Sequence, residues 1–373
     1  MSRSRDRTLV AVGTTDGGYL FSSDSKRRTW RKSNKFLKGE SVNSFAYNPR
    51  SGTMFAATHT EGVFRSNDLG RTWKPSSRGL SVRKAWTLEV DPRAAGTIYV
   101  GTHYGHLFKS VDDGRSWDEV TGLHTAPGRN EWGIDWANGT TGLCIHTIKV
   151  DPKDSERIYL VASGNGAYRT DDRGKTWKRI RNGTQEACPV GTWPEPPDLS
   201  LEKSAKALKA HLNDVHGCTH KISLSSKNPG TVFQQNHCGV FASSDSGENW
   251  SDISPSERIR HGFPAVLTEN GSARFFTVPA YQGICKKHNS CIKGQLAVYR
   301  MTDKKWDELT TGLPKGMHTC VLRDGMATDG RAEPGVYFGT TTGEVFGTTN
   351  SGDSWFSMMK GAGRVQGVNA FAV

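Results

Sequence analysis

The sequence has no long hydrophobic run. No segment approaches the roughly 18 consecutive apolar residues that a membrane-spanning helix needs. Residues 1–7 lead directly into the strand-like segment 9–12, without the apolar core of a secretory signal. We therefore expect a soluble, cytoplasmic protein with no membrane anchor.

Acidic residues are scarce relative to basic ones. The chain has 37 Asp and Glu against 49 Lys and Arg, which gives a net charge of +12. Such an excess can indicate a nucleic-acid partner, but no recognised nucleic-acid-binding motif accompanies it. We expect a solvated basic surface, and an anionic partner on that surface is the alternative that the charge leaves open.

One eight-residue motif that ends in tryptophan recurs along the chain. Four copies are intact, each with Asp at the third position and Gly at the fifth: residues 66–73, 110–117, 170–177 and 243–250. A fifth copy, 348–355, carries Asn350 in place of the Asp, and the copies at 22–30 and 300–306 differ by one residue in length. The sequence therefore predicts seven repeated units.

This motif resembles the Asp-box, or BNR, repeat of sialidase-like and sortilin-like β-propellers. The resemblance implies an all-β fold, in which each box closes the turn between the third and outermost strands of a blade, on the face opposite the usual ligand site. Asp and Ser bond their own turn, Gly supplies a positive φ, and Trp packs between sheets. We predict one seven-bladed β-propeller over residues 1–373. Segment 368–373 closely matches 42–47 and is expected to close blade one.

Three insertions interrupt the repeats, at about 121–141, 181–216 and 281–294. The strand order places all three on the face opposite the boxes, which we call the top face, where propellers commonly bind ligands. In the second insertion, Ser200 followed by Leu201, Ala205 and Leu208 predicts a short capped amphipathic helix. This helix would either cap the ring or cover a ligand site.

The repeat alignment places nearly all of the 12 histidines on the top face. His59, His103 and His237 fall in turns between second and third strands, whereas His146 and His220 lie near the start of innermost strands. Aligning the innermost strands gives a ring at one level of the channel: Asn369, Asn43, Trp86, His146, His220, Phe263 and Asp324.

Part of this ring could hold a metal. His146, His220 and Asp324, with His237 as a further ligand, would suit a divalent transition metal such as zinc, iron, manganese or copper. A channel lined by hydrogen-bonded histidines is the alternative. The predicted substrate-binding residues are Asn43, Trp86, His59, His103 and Trp136.

The acidic residues argue against one enzyme class. A glycosidase needs two opposed carboxyl groups, and a sialidase also needs an arginine cluster with a Tyr and Glu pair. The top face carries few acids, and the sialidase set cannot be assembled from its residues, so sialidase activity is not expected. Glu131, flanked by aromatic residues in the first insertion, is the predicted general acid or base, and Arg323 is the second catalytic candidate.

Further segments are similar to those of a microbial group of Asp-box proteins labelled as glycosyl hydrolases or exo-sialidases: 143–148, 218–221, 235–240, 321–324 and 334–340. That label follows from the repeat and says little about substrate. We predict a metal-assisted hydrolase, lyase or oxygenase acting on a small or glycan-like substrate. The alternative is a non-catalytic propeller scaffold that binds a protein or an anionic partner. Cys285 and Cys291 could form a disulfide or contribute to a metal site.

Overall fold

The computed structural model describes residues 7–129, 132, 144–163, 165–184, 219–236, 239–256, 259, 262–279 and 296–373. Its strands form seven antiparallel sheets of four strands each. The sheets surround a central channel, which confirms the predicted all-β, seven-bladed propeller. Within the described residues, no helix has the length and apolar character needed to cross a membrane.

The strands are numbered along the chain. Blade one contains β1 (Arg7–Thr14), β2 (Gly18–Asp24) and β3 (Arg31–Lys32), with β28 (Val365–Ala372) as its innermost strand. Blades two and three contain β4 (Val42–Asn48), β5 (Thr53–Thr58), β6 (Gly62–Ser66), β7 (Lys74–Pro75), β8 (Ala85–Val90), β9 (Ile98–Thr102), β10 (Leu107–Ser110) and β11 (Asp118–Glu119). Blades four and five contain β12 (Ile145–Asp151), β13 (Asp154–Ala162), β14 (Gly166–Thr170), β15 (Lys178–Arg179), β16 (Thr219–Leu224), β17 (Val232–Asn236), β18 (Gly239–Ser243) and β19 (Ser251–Asp252). Blades six and seven contain β20 (Ala265–Leu267), β21 (Arg274–Pro279), β22 (Leu296–Thr302), β23 (Lys305–Leu309), β24 (Met326–Thr328), β25 (Val336–Gly339), β26 (Val345–Thr348) and β27 (Phe356–Met359).

The C-terminal strand closes the ring as predicted, because β28 pairs with β1 as the innermost strand of blade one. The predicted register was wrong by three residues. Gly367 pairs with Gly13 at the level where Ser44 pairs with Ala57 in blade two. The residue equivalent to Asn43 is therefore Gln366, not Asn369. Val365 and Val368 each precede a polar residue, as Val42 does in blade two. The local sequence therefore matches blade two in either register, and only the pairing of β28 with β1 decides which register forms.

Five innermost strands share a one-residue irregularity at their top ends, and in β28 it falls at Gln366. The pairing register shifts across Asn43, Trp86, His146 and His220 in blades two to five. A bulge of this kind redirects the side chain of the extra residue. The sequence alignment that grouped these four positions at one level is confirmed.

The box turns hold themselves together by short-range hydrogen bonds. In the 66–73 box, Ser66 Oγ accepts from the N–H of Gly70 at 2.8 Å, and the Asp68 carboxylate accepts from the N–H and hydroxyl of Thr72 at 2.9 and 2.6 Å. Hydrogen bonds from Thr72 hold the pKa of Asp68 at about 2. The other three intact boxes repeat this geometry.

Adjacent blades meet through glycines that follow the outermost strands. The N–H of Trp117, a box tryptophan, donates to the carbonyl of Arg78 in the preceding blade at 3.0 Å. Gly79 adopts φ +93°, and a Cβ on it would lie 2.1 Å from the Trp117 carbonyl oxygen. Gly183 and Gly312 make the same approach to the next box tryptophan, so glycine is required at each of these joints.

Most of the insertions lie outside the described residues. The first begins with a 3-10 helix, Thr121–Thr125, which follows β11. The helix predicted from Ser200 and the whole insertion at 281–294 fall outside the described ranges.

Candidate functional site

An aromatic cluster, consisting of His59, Trp86, His103 and Tyr104, lies at the top of blades two and three. We call it the top cluster. His103 occupies its centre, with ring centroids 4.9 Å from His59, 5.0 Å from Trp86 and 6.2 Å from Tyr104. The β5–β6 turn supplies His59, the β9–β10 turn supplies His103 and Tyr104, and the bulge of β8 supplies Trp86. Three predicted substrate-binding residues therefore lie together.

Tyr104 is the exposed member of the top cluster. Its side chain is 49% exposed, which is unusual for a large apolar residue in this fold. The residue adopts φ +63° and is followed by Gly105 at φ +70°. Lys84 contacts it twice, with Nζ 3.3 Å from the hydroxyl oxygen and 5.4 Å from the ring centroid.

The conformation of Tyr104 is costly for a bulky residue. Left-handed backbone is rare outside Gly, Asn and Asp, and it persists where the surrounding structure or a function requires it. The equivalent turn of blade two reaches positive φ only at Gly62. The β9–β10 turn thus holds an aromatic side chain in a strained, solvent-facing position.

Two histidines lie beneath the top face. His146 and His220 are fully buried. Burial lowers the pKa of His146 well below its ordinary value, and the charges of Arg323 and Lys221 lower it further, so the imidazole is neutral. Its Nε2 has no hydrogen-bond partner among the described residues. His220 Nδ1 contacts the Gly262 carbonyl, and its ring lies 4.8 Å from that of Phe263.

Asp324 is paired with a lysine side chain. Its carboxylate forms an ion pair with Lys221, and both side chains are largely buried. The Arg323 guanidinium lies 5.3 Å from the Phe263 ring centroid. The residues predicted as metal ligands therefore share the upper channel with two positive charges.

The predicted metal set does not assemble within the part of the chain that the structure covers. His146, His220 and Asp324 do not bring three ligand atoms within 4.8 Å of one another; the one group in this part that does is His106, Glu119 and His124, on the outer side of blade three. The fourth predicted ligand, His237, lies outside the described residues, as do Glu131 and Trp136.

Asn43 has a structural contact. It is buried, and its Nδ2 donates to the Ala85 carbonyl at 2.8 Å, which joins the innermost strands of blades two and three. Among the predicted substrate-binding residues, Asn43 thus binds the neighbouring blade and not the top cluster.

Below this level the channel contains a partly open cavity of about 450 Å³. Its lining includes the Lys221 and Asp324 pair near the top and a second ion pair, Lys149 with Glu89, whose Nζ and Oε2 atoms are 2.8 Å apart.

Lys221 and Tyr104 were missed at the level of sequence. The signal for Lys221 is a charged residue in an innermost strand. The signal for Tyr104 is a bulky residue directly before Gly105 in the short β9–β10 turn.

Comparison with known proteins supports the fold. No protein-family model matches the chain. It is similar to the xyloglucanase Xgh74A of Acetivibrio thermocellus, with 23% identity over 224 residues, covering 56% of this chain and 24% of that protein. The chain thus spans about a quarter of the length of that relative.

Two solved structures extend the comparison. The chain resembles an ancestral GH74 enzyme at 16% identity and a TM-score of 0.58, over 88% of this chain and 38% of that one. It also resembles YCF48 bound to D1 peptide, at 11% identity and a TM-score of 0.51, over 95% and 86% of the two chains. At these identities the likeness shows the propeller fold, and function must be argued from the site.

Proposed function

We propose that this chain is a glycan-binding propeller of the Asp-box group, with hydrolase-like activity, and that the top cluster is its ligand surface. One observation carries the proposal: Tyr104 is exposed and held in strained backbone beside Trp86 and His103. Aromatic rings pack against the apolar face of a sugar, while the Lys84 ammonium and the imidazoles can bond its hydroxyl groups.

The comparisons supply the first ligand to test. The similar curated protein is named a xyloglucanase, and a GH74 enzyme is among the similar structures. Xyloglucan oligosaccharides are therefore the first probes. The four intact boxes support assignment of the chain to the Asp-box propellers.

Hydrolysis requires more than the described top face offers. Two opposed carboxyl groups carry out glycoside hydrolysis. Three of the described top-face acids each lie against a cation: Asp16 Oδ2 is 2.8 Å from Lys35 Nζ, Glu61 Oε2 is 3.5 Å from Arg83 Nη1, and Asp324 pairs with Lys221. Glu131 stays the proposed general acid or base, and Arg323 the proposed group for binding an anionic part of the substrate.

Because these three acids are paired with Lys or Arg side chains, a second function is also favoured, that of a non-catalytic scaffold. YCF48, which shares the fold, is seen bound to a peptide. An exposed aromatic ring with an adjacent Lys also suits a peptide carrying aromatic and acidic side chains. In this alternative the top cluster binds a protein partner and no reaction follows.

A metal in the upper channel remains part of the proposal. The neutral His146, with no partner for Nε2 in the described residues, is in the form that ligates a metal. The positive charges of Lys221 and Arg323 oppose a bound cation. Metal analysis of tag-free protein and of His146→Ala and His220→Ala decides this point: full metal retention in both variants would reject the channel site.

The test of the proposed function combines binding and turnover. Affinity for xyloglucan oligosaccharides and release of reducing ends are measured for the wild type, Trp86→Ala and Tyr104→Ala. Val111→Ala is the matched control, because Val111 is 64% exposed on the same blade but lies in a box turn. We expect both cluster variants to bind at least about tenfold more weakly, equivalent to 1.4 kcal/mol, with the control unchanged.

Three outcomes would reject it. Absence of binding to any glycan, together with a peptide affinity that falls in the two cluster variants, would establish the scaffold instead. Glycan binding that is unaffected by the cluster variants would place the ligand elsewhere. An equal loss in Val111→Ala would show that the effect is not specific to the top cluster.

A further inference from the structure

Three potential metal ligands meet at the outer edge of blade three. His106 follows the β9–β10 turn, Glu119 ends β11, and His124 lies in the 3-10 helix Thr121–Thr125. Pairing of Phe108 with Glu119 sets the hairpin register that brings the first two together. This group is separate from the residues predicted as metal ligands in the upper channel.

The ligand atoms converge on one point. Nδ1 of His106 and Nε2 of His124 lie 2.6 and 2.9 Å from the same carboxylate oxygen, Oε1 of Glu119. Tetrahedral zinc with bonds of about 2.0–2.1 Å places its ligand atoms about 3.3 Å apart. An opening of about half an ångström, within the range of side-chain rotation, would therefore admit the ion.

His106 and Glu119 are partly buried, whereas His124 is exposed. Their exposed fractions are 27% for His106, 25% for Glu119 and 44% for His124. The two imidazole rings are 5.9 Å apart and nearly perpendicular, and the His106 ring stacks on Phe108 at 6.3 Å. Such packing fixes ring direction, as the neighbours of metal-binding histidines commonly do.

The charge of the group also suits a cation. Partial burial raises the pKa of Glu119, but hydrogen bonds from His106 and His124 outweigh burial and hold the pKa below its ordinary value. The carboxylate supplies a negative charge and each imidazole a ring nitrogen, which are donor atoms that a divalent transition metal takes. Arg129 interacts electrostatically with Glu119 from the neighbouring segment and is the positive charge that such a site must accommodate.

We propose that His106, Glu119 and His124 form a binding site for a divalent transition metal, zinc being the best match, with a fourth position open to water or a ligand. Two His and one carboxylate, with one position open, is an established zinc donor set. The ion would link the β9–β10 turn to the segment that follows β11. Because His106 is two residues from Tyr104, it would also stiffen the turn that carries the exposed aromatic ring.

The test uses tag-free full-length protein stripped with a chelator. Zn²⁺ is titrated by calorimetry and by competition with a chromogenic chelator, and Co²⁺ by absorption spectroscopy. We expect one equivalent to bind with a Kd of about 1 μM or tighter, and its loss in His106→Ala and in His124→Ala. Glu119→Gln, which keeps the shape but not the charge, should weaken binding by at least about tenfold. Circular dichroism confirms that each variant is folded.

Two control variants separate this site from other histidines. His318→Ala, elsewhere on the top rim, should leave the bound Zn²⁺ equivalent unchanged, and His146→Ala tests whether any bound metal belongs to the upper channel instead. Absence of binding tighter than about 100 μM in the wild type would overturn the proposal. The proposal would also be overturned if one equivalent of Zn²⁺ still bound to both His106→Ala and His124→Ala. Loss of Zn²⁺ binding in His146→Ala alone would overturn it as well, because the metal would then belong to the upper channel. None of these outcomes alters the glycan test.

Discussion

Arg27 donates from Nη1 to Oδ2 of Asp329 at 2.8 Å across the joint between the first and last blades. Both side chains are almost fully buried, and the Tyr337 hydroxyl donates to the same carboxylate oxygen at 3.1 Å. Together with the pairing of β28 and β1, this contact closes the ring. Arg27 belongs to the degenerate first box, so a position that departs from the repeat has a structural role at the closure.

Removing one partner of this pair should destabilise the whole ring. Arg27→Met leaves Asp329 buried with an uncompensated charge, which typically costs about 3–5 kcal/mol. We expect a loss near 3 kcal/mol, because Tyr337 and the Gly335 N–H still donate to the carboxylate. The double variant Arg27→Met with Asp329→Asn should recover part of the loss. Equilibrium denaturation in urea measures both, and a loss below about 1 kcal/mol in the single variant would contradict this account.

The joints between blades should reject a side chain at Gly79. Gly79→Ala introduces a Cβ 2.1 Å from the Trp117 carbonyl oxygen, in addition to left-handed strain. Gly52→Ala is the matched control, since Gly52 has φ +75° but no atom within 4 Å of the added Cβ. We expect a cost of about 1 kcal/mol for the control, and about 1–3 kcal/mol more for Gly79→Ala. Thermal and urea unfolding compare the two, and equal costs would show that the joint is not tight.

The box carboxylates should make the fold sensitive to acid. Asp68 has a pKa of about 2 in the folded protein, below its ordinary value in an unfolded chain. Its stabilising effect is therefore complete above about pH 4 and is lost as the pH falls through about 2. Asp68→Asn should cost up to about 1 kcal/mol at about pH 7, a small value because the group is exposed, and almost nothing at about pH 2.

The natural Asn350 box is the reference for that prediction. Asn350 keeps its contacts with Ser354, at 3.1 Å to the N–H and 3.0 Å to the hydroxyl. A neutral side chain therefore preserves the turn. Urea unfolding at the two pH values is the measurement, and a cost for Asp68→Asn that does not change with pH would contradict a role for the carboxylate charge.

Tyr104 should show opposite effects on stability and on binding. Tyr104→Asn relieves left-handed strain, because Asn tolerates positive φ better than Tyr, while it loses the contacts with Lys84. We expect stability to rise by up to about 1 kcal/mol and glycan affinity to fall at least about tenfold. Differential scanning calorimetry and a glycan titration measure the two quantities. A variant that loses stability and keeps its affinity would show that Tyr104 has a packing role alone.

The fold was predictable because the box is a local motif with its own chemistry. Ser66, Asp68 and Gly70 bond within one turn, so the pattern is visible without tertiary information. The repeat then located the bulge residues Trp86, His146 and His220 correctly. It failed at the blade-one closure, because the choice between Gln366 and Asn369 depends on pairing with a strand from the other end of the chain.

The site was predictable only in part. The repeat placed His59 and His103 at equivalent turns, and they do contact each other. It could not show that Asp324 forms an ion pair with Lys221, 103 residues earlier, because that contact crosses the channel between non-adjacent blades. Nor does any short motif link His106 to Glu119 and His124, which only the hairpin register brings together.

Mapping the bound ligand by amide hydrogen exchange tests the central claim most directly. With a xyloglucan oligosaccharide at saturation, this account predicts slower exchange in the segments that carry Trp86 and Tyr104, and no change in the box turns around Val111. Slower exchange confined to the box face, or none in either top segment despite measured binding, would contradict the assignment of the top cluster as the ligand surface.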